Sequence, residues 1–360
     1  MVFMNKFVAS AVLLFISTVF ADDPRDVYDM QRFGSLAAKV RHFTNLTVIG
    51  DSYSSGDGAQ NNWGEGSCRR NVGAYGPRLN NLLHPDFFHF AACSGADVPH
   101  IQAQVKSSLY GDPELIVMTA TGDNGGMFVK VLVACMIQKS GSACDAAVKY
   151  ASVQADAIPG TLAPLYKDIK DEGKAAGKKL TIVHIGYAQL YNRDADAAQC
   201  PPKPTRFYLG VDVKWASKGP GGYRDKINNV ILKVNRKIQE AANQDGIIYA
   251  DADSFFEGHR FCDGPKNAWM QHKLALMQEA GVLCHPTFEG HGAYVNAALD
   301  ALVNPKSRFV APAEDPKVLG GRFDSGDEEL LKETNEIIDK HLVKEELARQ
   351  ARMDKQTFGF

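Results

Sequence analysis

A serine, a glycine, an asparagine and a histidine occur along this chain in an order that suits acyl-transfer chemistry. They are Ser52 in "TVIGDSYSSGDGA", Gly95 in "FAACSGADV", Asn124 in "TATGDNGGMF" and His285 in "LCHPTFEGHGAY". Acyl transfer needs a nucleophile, a base that takes its proton, and donors that bind the oxyanion. Each residue alone is a weak signal, because an isolated histidine is more often structural and an asparagine beside glycine usually marks a turn. Their joint order favours a catalytic site.

The elements that must position these residues can be predicted from apolar patterning. Five stretches have the composition of β-strands, at residues 46–50, 87–91, 115–120, 180–185 and 246–250, and helical patterning separates them. Strands that alternate with helices predict an open parallel sheet covered on both faces. The carboxyl ends of parallel strands share one edge of the sheet, so the candidate residues are expected to meet there. We expect one domain over residues 22–312.

The N-terminus has the pattern of a secretory signal peptide over residues 1–21. It contains one lysine, then an apolar run, then small residues that end at Ala21. We expect cleavage after Ala21 and a secreted, extracellular protein. The alternative is a membrane anchor, but the run is shorter than the roughly 20 residues that a spanning helix needs. No later stretch is long and apolar enough to predict a transmembrane segment.

Overall composition is that of a globular protein without a strong charge bias. The chain has 360 residues, of which 45% are hydrophobic and 23% charged, with a net charge of −2. This balance gives no electrostatic reason to expect nucleic acid as a partner. Function is therefore expected from a localised site.

Charged residues dominate the C-terminal tail over residues 313–360. Ser325 and Glu328 have the spacing of a capping box, and Leu331, Ile338 and Leu342 form a narrow apolar stripe. This pattern favours a solvated helix that is detached from the domain, with docking as the alternative.

Seven cysteines suit a disulfide framework in a secreted chain. They are Cys68, Cys93, Cys135, Cys144, Cys200, Cys262 and Cys284. No pair has CxxC spacing, so we expect no metal site. Six of them could form three bridges, but spacing alone leaves the pairing open. The glycosylation sequon at Asn45 fits secretion, although it lies where a strand begins and its use stays open.

Blocks of sequence around the four candidate residues support a specific family. They read "GDSYSSG", "ACSGA", "GDNGGMF" and "HPTFEGHGAY", with "FFEGHRFCD" before the last. In this order they resemble the blocks of the GDSL or SGNH hydrolases, in the secreted esterase and lipase branch, over residues 44–302. The resemblance implies a three-layer α/β/α sandwich with a five-stranded parallel sheet, of the flavodoxin-like kind. It also implies a carboxylic ester hydrolase that uses no cofactor.

The resemblance implies a role for each residue. Ser52 would be the nucleophile and His285 the base. The oxyanion would be bound by the backbone N–H groups of Ser52 and Gly95 and by the side chain of Asn124. His291 is a competing base, but the family pattern favours the histidine that precedes proline.

Two positions depart from the family pattern. Where the family has Gly-Gly-Asn-Asp, this chain has Asp123 before Asn124 and Gly125 after it. A charged Asp123 would oppose an oxyanion, so we expect it to point away or to bind a neighbouring donor. Many members also have aspartate three residues before the histidine, where this chain has Val282.

Without that aspartate, we expect the main-chain carbonyl of Val282 to orient His285. A carbonyl fixes the tautomer of the ring, although it stabilises the imidazolium less than a carboxylate does. The nearest acids at a strand end, Asp251 and Asp253, are the alternative.

The resemblance also implies the pairing of the cysteines. The bridges would be Cys68 to Cys93, Cys135 to Cys144 and Cys200 to Cys262. Cys284 would be a buried, inert thiol beside the catalytic histidine.

Lipid or medium-chain acyl esters are the expected substrates. Acetyl esters of cell-wall polysaccharide are the alternative within the enzyme class, and an inactive module that binds glycans or a protein is the alternative outside it. A long loop carries aromatic residues that could line an acyl pocket, stack on sugar rings or simply pack the loop. These are Phe207, Tyr208, Trp215 and Tyr223.

Overall fold

Five parallel strands form the central sheet, in the order β2-β1-β3-β4-β5. They are β1 (Asn45–Gly50), β2 (Phe87–Phe90), β3 (Leu115–Thr119), β4 (Thr181–Ile185) and β5 (Ile248–Ala250). This computed structural model describes residues 24–64, 66–138, 140–200, 219, 221–271, 284–305 and 312–339. The expected signal peptide lies outside that part of the chain.

Helices cover both faces of the sheet, so the predicted three-layer α/β/α fold is confirmed. The helices are α1 (Pro24–Ala37), α2 (Ser52–Ser55), α3 (Tyr75–Leu83), α4 (Val98–Val105), α5 (Met127–Leu132), α6 (Gly141–Asp156), α7 (Ile158–Ala175), α8 (Tyr223–Asp245), α9 (Phe288–Val303) and α10 (Ser325–Ile338). α1, α3 and α9 pack together in one layer, and α4, α6, α7 and α8 in the other. None of the helices described is long and apolar enough to cross a membrane.

The strands form where apolar runs can be buried on both faces. Every residue of β1 and of β3 is buried, which explains their continuous apolar sequence. β5 begins two residues later than predicted. The reason is that Gly246, with φ of +67°, ends α8 and donates its N–H to the carbonyl of Ala242.

The strand order places a crevice beside β1. From β1 the chain crosses to β2 on one side, and it then returns to β3 on the other side. In such sheets the connections diverge at this point, and ligands bind at the carboxyl ends of the strands there. The segments that follow β1 and β3 carry Ser52 and Asn124.

α10 is docked on the domain, contrary to the detached helix favoured by its sequence. It packs against α6 and α5, and Leu331 is 3% exposed. Lys149 on α6 contacts the carboxylate of Asp327 at 2.9 Å. The capping box consists of Asp324 and Asp327, one residue before the predicted pair, because Asp324 supplies the accepting carboxylate.

Candidate active site

Ser52 lies at the start of α2, directly after β1. The turn needs Gly50, which has φ of +128°, because a Cβ there would lie 2.3 Å from the carbonyl oxygen of Thr119. Asp51 caps α2 by accepting the N–H of Tyr53 at 3.0 Å. Ser52 itself is 8% exposed. The turn therefore holds a nearly buried hydroxyl at the carboxyl edge of the sheet.

Buried polar side chains fix this turn. Asp51 accepts hydrogen bonds from the hydroxyls of Thr119, at 2.6 Å, and Tyr187. Burial raises the pKa of Asp51, although these hydrogen bonds lower it. Gln104 on α4 bonds both backbone groups of Gly50, at 2.7 and 2.9 Å. Gln104 and Tyr187 are not predictable from the sequence, because nothing in a linear pattern shows that they reach the end of β1.

His285 reaches the hydroxyl of Ser52. Its Nε2 lies 2.7 Å from Ser52 Oγ, which is hydrogen-bond distance for a nucleophile and its base. The histidine segment is held by backbone pairing, since Gln271 donates to the carbonyl of His285 at 2.7 Å and accepts from Cys284 at 3.0 Å. With Nε2 as acceptor, neutral His285 carries its proton on Nδ1.

The group that orients His285 is not found among the described residues. Its Nδ1 is buried and has no hydrogen-bond partner in that part of the chain. Val282, whose carbonyl was expected to accept from Nδ1, lies outside the described residues.

The two alternative carboxylates hold loops in place. Asp251 accepts the N–H groups of Asp253 and Ser254 at 3.3 and 3.1 Å. Asp253 accepts from the side chains of Gln189 at 2.6 Å and Arg260 at 3.0 Å. In the part of the chain that the structure describes, no group of three His, Cys, Asp or Glu side chains is placed to hold a metal ion.

Three donors predicted for the oxyanion lie at the same edge of the sheet. The N–H groups of Ser52 and Gly95 donate to no acceptor within the described residues. Val98 donates its N–H to Asn124 Oδ1 at 3.0 Å, and this contact assigns the other end of the amide, Nδ2, as a free donor. Glycine is favoured at position 95 by its φ of +81°, which side chains with a Cβ rarely adopt. Space is not the reason, since an added Cβ would meet nothing within 4 Å.

Asp123 differs from the sequence expectation. Its half-buried carboxyl makes no hydrogen bond or ion pair with the described residues, so no neighbouring donor neutralises it. Burial raises the pKa of Asp123 to about 8, and Asp51, Asp97 and Asp57 add to the rise. Of the two expected placements, binding to a neighbouring donor is not found among the described residues, and the raised pKa keeps the carboxyl mostly neutral at pH 7.

The second unusual residue of this block, Gly125, has a steric explanation. Its φ is +58°, and a Cβ would lie 2.6 Å from the hydroxyl of Tyr150. That hydroxyl donates to the carbonyl of Gly125 at 2.9 Å. The contact with α6 therefore disfavours the aspartate that the family usually has here.

His291 lies apart from the nucleophile, inside α9. It is 0% exposed, and its ring packs against Tyr75 and Tyr294 at centroid distances of 6.2 and 6.0 Å. Burial lowers the pKa of His291 well below its usual value. Of the two histidines, only His285 contacts Ser52 in the described structure.

Three disulfides brace the domain, with the pairings that the family resemblance implies. They join Cys68 to Cys93, Cys135 to Cys144 and Cys200 to Cys262. The first ties the loop after α2 to the turn that carries Gly95. Cys284 is a free, buried thiol, and burial raises its pKa to about 12.

An apolar cavity lies beside the chain neighbours of Ser52 and His285. Tyr53 and Cys284, the chain neighbours of the pair, line it together with Leu132 of α5 and Ile227 of α8. The empty space is about 340 Å³, part of it open to solvent. Of the aromatic residues suggested by the sequence, Tyr223 begins α8 and does not line this cavity. The other three, Phe207, Tyr208 and Trp215, lie outside the described residues.

Comparison with known proteins gives consistent matches. Residues 48–293 match the GDSL-like Lipase/Acylhydrolase family. A lipase from Streptomyces rimosus is 28% identical over 250 residues, which are 69% of this chain and 82% of that protein. The crystal structure of phospholipase A1 from Streptomyces albidoflavus is 26% identical with a TM-score of 0.59, and it covers 74% of this chain and 100% of that one. The crystal structure of the extracellular lipase from S. rimosus is 25% identical with a TM-score of 0.55, and the match covers 72% of this chain and 99% of that one.

Proposed function

Because this chain belongs to the GDSL-like lipase and acylhydrolase family and is a carboxylic ester hydrolase, we propose that it works through a Ser-His acyl-enzyme mechanism. The observation that supports this mechanism is the 2.7 Å contact between Ser52 Oγ and His285 Nε2. The same contact favours this mechanism over the alternative of an inactive binding module.

In the proposed reaction, Ser52 Oγ attacks the ester carbonyl while its proton passes to His285 Nε2. The oxyanion is bound by the N–H groups of Ser52 and Gly95 and by Asn124 Nδ2. Collapse of the tetrahedral intermediate breaks the ester bond, and His285 gives its proton to the leaving alcohol. Water then attacks the acyl group, His285 takes a proton from it, and that proton returns to Ser52 as the acid leaves.

The cavity supports an acyl group longer than acetyl as the preferred substrate. Its walls are apolar side chains of α5 and α8, and Tyr53 and Cys284 connect it to the catalytic pair. Burying each methylene of an acyl chain in such a cavity contributes about 0.8 kcal/mol. Lipid or medium-chain esters are therefore proposed over polysaccharide acetates.

Export of the protein is proposed from its cysteines and its N-terminus. Three disulfides form and persist in an oxidising compartment. The expected signal peptide over residues 1–21 would direct the chain there.

The first test is hydrolysis of p-nitrophenyl esters from acetate to palmitate. Ser52→Ala and His285→Ala should each lower kcat/KM by about 10³-fold or more. His42→Ala, at a histidine whose side chain is 60% exposed, is the control and should retain wild-type rates. A folded wild type that hydrolyses none of these esters would contradict the proposal.

Acyl specificity can be tested at Leu132, a half-buried wall residue. Leu132→Trp should lower the rates on octanoate and longer esters while leaving acetate nearly unchanged, because the larger ring fills the cavity. Leu132→Ala is the matched control and should not shorten the preferred chain. Equal loss on all esters would argue against an acyl-binding cavity.

A further inference from the structure

Tyr53 links the turn of the nucleophile to the segment of the base. It follows Ser52 in α2, and its hydroxyl donates to the main-chain carbonyl of Cys284 at 2.8 Å. Cys284 in turn precedes His285. One side chain therefore bridges the immediate neighbours of both proposed catalytic residues, which are far apart in sequence.

The carbonyl that Tyr53 binds belongs to the peptide unit that joins Cys284 to His285. Because a peptide unit is planar, anchoring its oxygen also restricts the direction in which the Cα of His285 leaves it. The hydrogen bond therefore acts on the position of the imidazole without touching the ring nitrogens.

Cys284 adopts a backbone conformation that needs support. Its φ is +68°, in the left-handed region, which costs a residue with a Cβ about 1 to 2 kcal/mol. This turn directs His285 toward Ser52. Strained conformations of this kind persist when surrounding contacts over-determine them, and the Tyr53 hydrogen bond is such a contact.

The hydroxyl of Tyr53 is itself held in place. Tyr53 is 8% exposed, and its ring packs against Tyr187 and Tyr294 at centroid distances of 5.2 and 5.9 Å. The ring of His285 also packs against the ring of Tyr53, with the two centroids 5.1 Å apart. Burial, together with the charges of neighbouring groups, raises the pKa of Tyr53 well above 10, so the hydroxyl stays protonated and remains a donor.

From these contacts we propose that Tyr53 is a positioning residue, which sets the Ser52 to His285 geometry through the carbonyl of Cys284. The inference rests on the proposed function, since it concerns the alignment of that reaction. Within the described residues, the Tyr53 hydrogen bond acts on His285 through the main chain and not through the ring.

The test compares two removals of a buried tyrosine hydroxyl. Tyr53→Phe keeps the ring that lines the cavity and removes only the bond to Cys284. Tyr166→Phe is the matched control, because its hydroxyl bonds His184 at 2.6 Å and is fully buried, away from the site. The assays are kcat and KM on p-nitrophenyl butyrate, the rate of Ser52 labelling by diisopropyl fluorophosphate, and Tm.

Tyr53→Phe should lower kcat and the labelling rate by about 10- to 100-fold, because a misplacement of the base by about 1 Å costs on that order. KM should change less than about twofold, and Tm should fall no more than in Tyr166→Phe. Rates for Tyr53→Phe within twofold of the control would overturn the inference. A fall in Tm much larger than in the control, with kcat retained in the folded fraction, would also overturn it.

A crystal structure of Tyr53→Phe separates this inference from the proposed function. Loss of the 2.7 Å contact between Ser52 and His285 in the variant supports positioning by Tyr53, whether or not the wild type is active. An unchanged contact overturns it. A wild type that is neither labelled nor active overturns the proposed function by itself.

Discussion

Asp123→Asn should stabilise the protein at pH 8 and change little at pH 4.5. The half-buried carboxyl of Asp123 has no partner among the described residues, and its pKa is raised from 3.8 to about 8 by burial and by nearby acids. Well below pH 3.8 the carboxyl is protonated in both the folded and the unfolded chain, so it contributes no difference. As pH rises toward 8, only the unfolded chain ionises freely, and the folded state loses stability.

The size of the effect follows from that pKa range. Ionising such a carboxyl in the folded state costs at most about 6 kcal/mol, and partial exposure of the side chain reduces this to about 2 to 4 kcal/mol. Asparagine has nearly the same shape and never ionises, so the variant avoids this cost. In Tm, the gain at pH 8 corresponds to roughly 5 to 10 °C for a domain of this size.

The assay is urea unfolding of wild type and variant at pH 4.5, 6 and 8. The difference in free energy of unfolding should grow with pH. Asp86→Asn is the control, since the side chain of Asp86 is 59% exposed. An Asp123→Asn advantage that is absent, or equal at all three pH values, would refute the reasoning and show an ordinary ionised carboxyl.

The pH dependence of kcat/KM should also show the ionisation of Asp123. A carboxylate beside a site where negative charge develops opposes that charge, and a loss of about 1 to 2 kcal/mol corresponds to roughly 5- to 30-fold in rate. Wild-type kcat/KM should therefore fall as pH rises through about 8, where Asp123 ionises. Asp123→Asn should remove this alkaline fall and keep the acidic limb. An identical alkaline limb in both proteins would contradict this role.

Three further expectations concern other parts of the fold. Asn45 is 8% exposed and its amide donates to the carbonyl of Asp112 at 2.6 Å, so peptide mass spectrometry of the folded protein, expressed through a secretory pathway, should find Asn45 without a glycan. Cys284 should not react with Ellman's reagent in the native state, because the thiol is buried and its pKa is about 12, and one thiol per chain should react after denaturation. Leu331→Ala should lower the free energy of unfolding by about 2 to 3 kcal/mol and expose α10 to proteases, whereas Leu330→Ala, at a side chain 40% exposed on the same helix, should do neither.

Much of the fold was predictable because its central strands, β1 and β3, are buried on both faces and have continuous apolar sequences. The predicted ends of the strands were less exact, as at Gly246, where the C-cap of α8 rather than apolar content decides the start of β5. The docking of α10 was not predictable, because Leu331 is the one apolar residue among the three buried on this helix, and the partner Lys149 lies far away in sequence.

The sequence by itself determined the order and type of the candidate site residues. Ser52, Gly95, Asn124 and His285 lie in short blocks whose chemistry is readable without coordinates. The family pattern favoured His285 over His291, but only the tertiary structure shows the contact of His285 with Ser52, which depends on the backbone pairing of this segment with Gln271.

Tertiary structure alone also decided the electrostatics of the site. Asp51 and Asp123 are ordinary acids in the sequence, yet burial raises the pKa of both, and the charge of Asp51 adds to the rise at Asp123. The bond from Tyr53 to Cys284 joins two segments that no local pattern relates. Local sequence specifies residue types and strand ends, whereas burial and contacts across long stretches of chain arise only when the sheet brings those ends together.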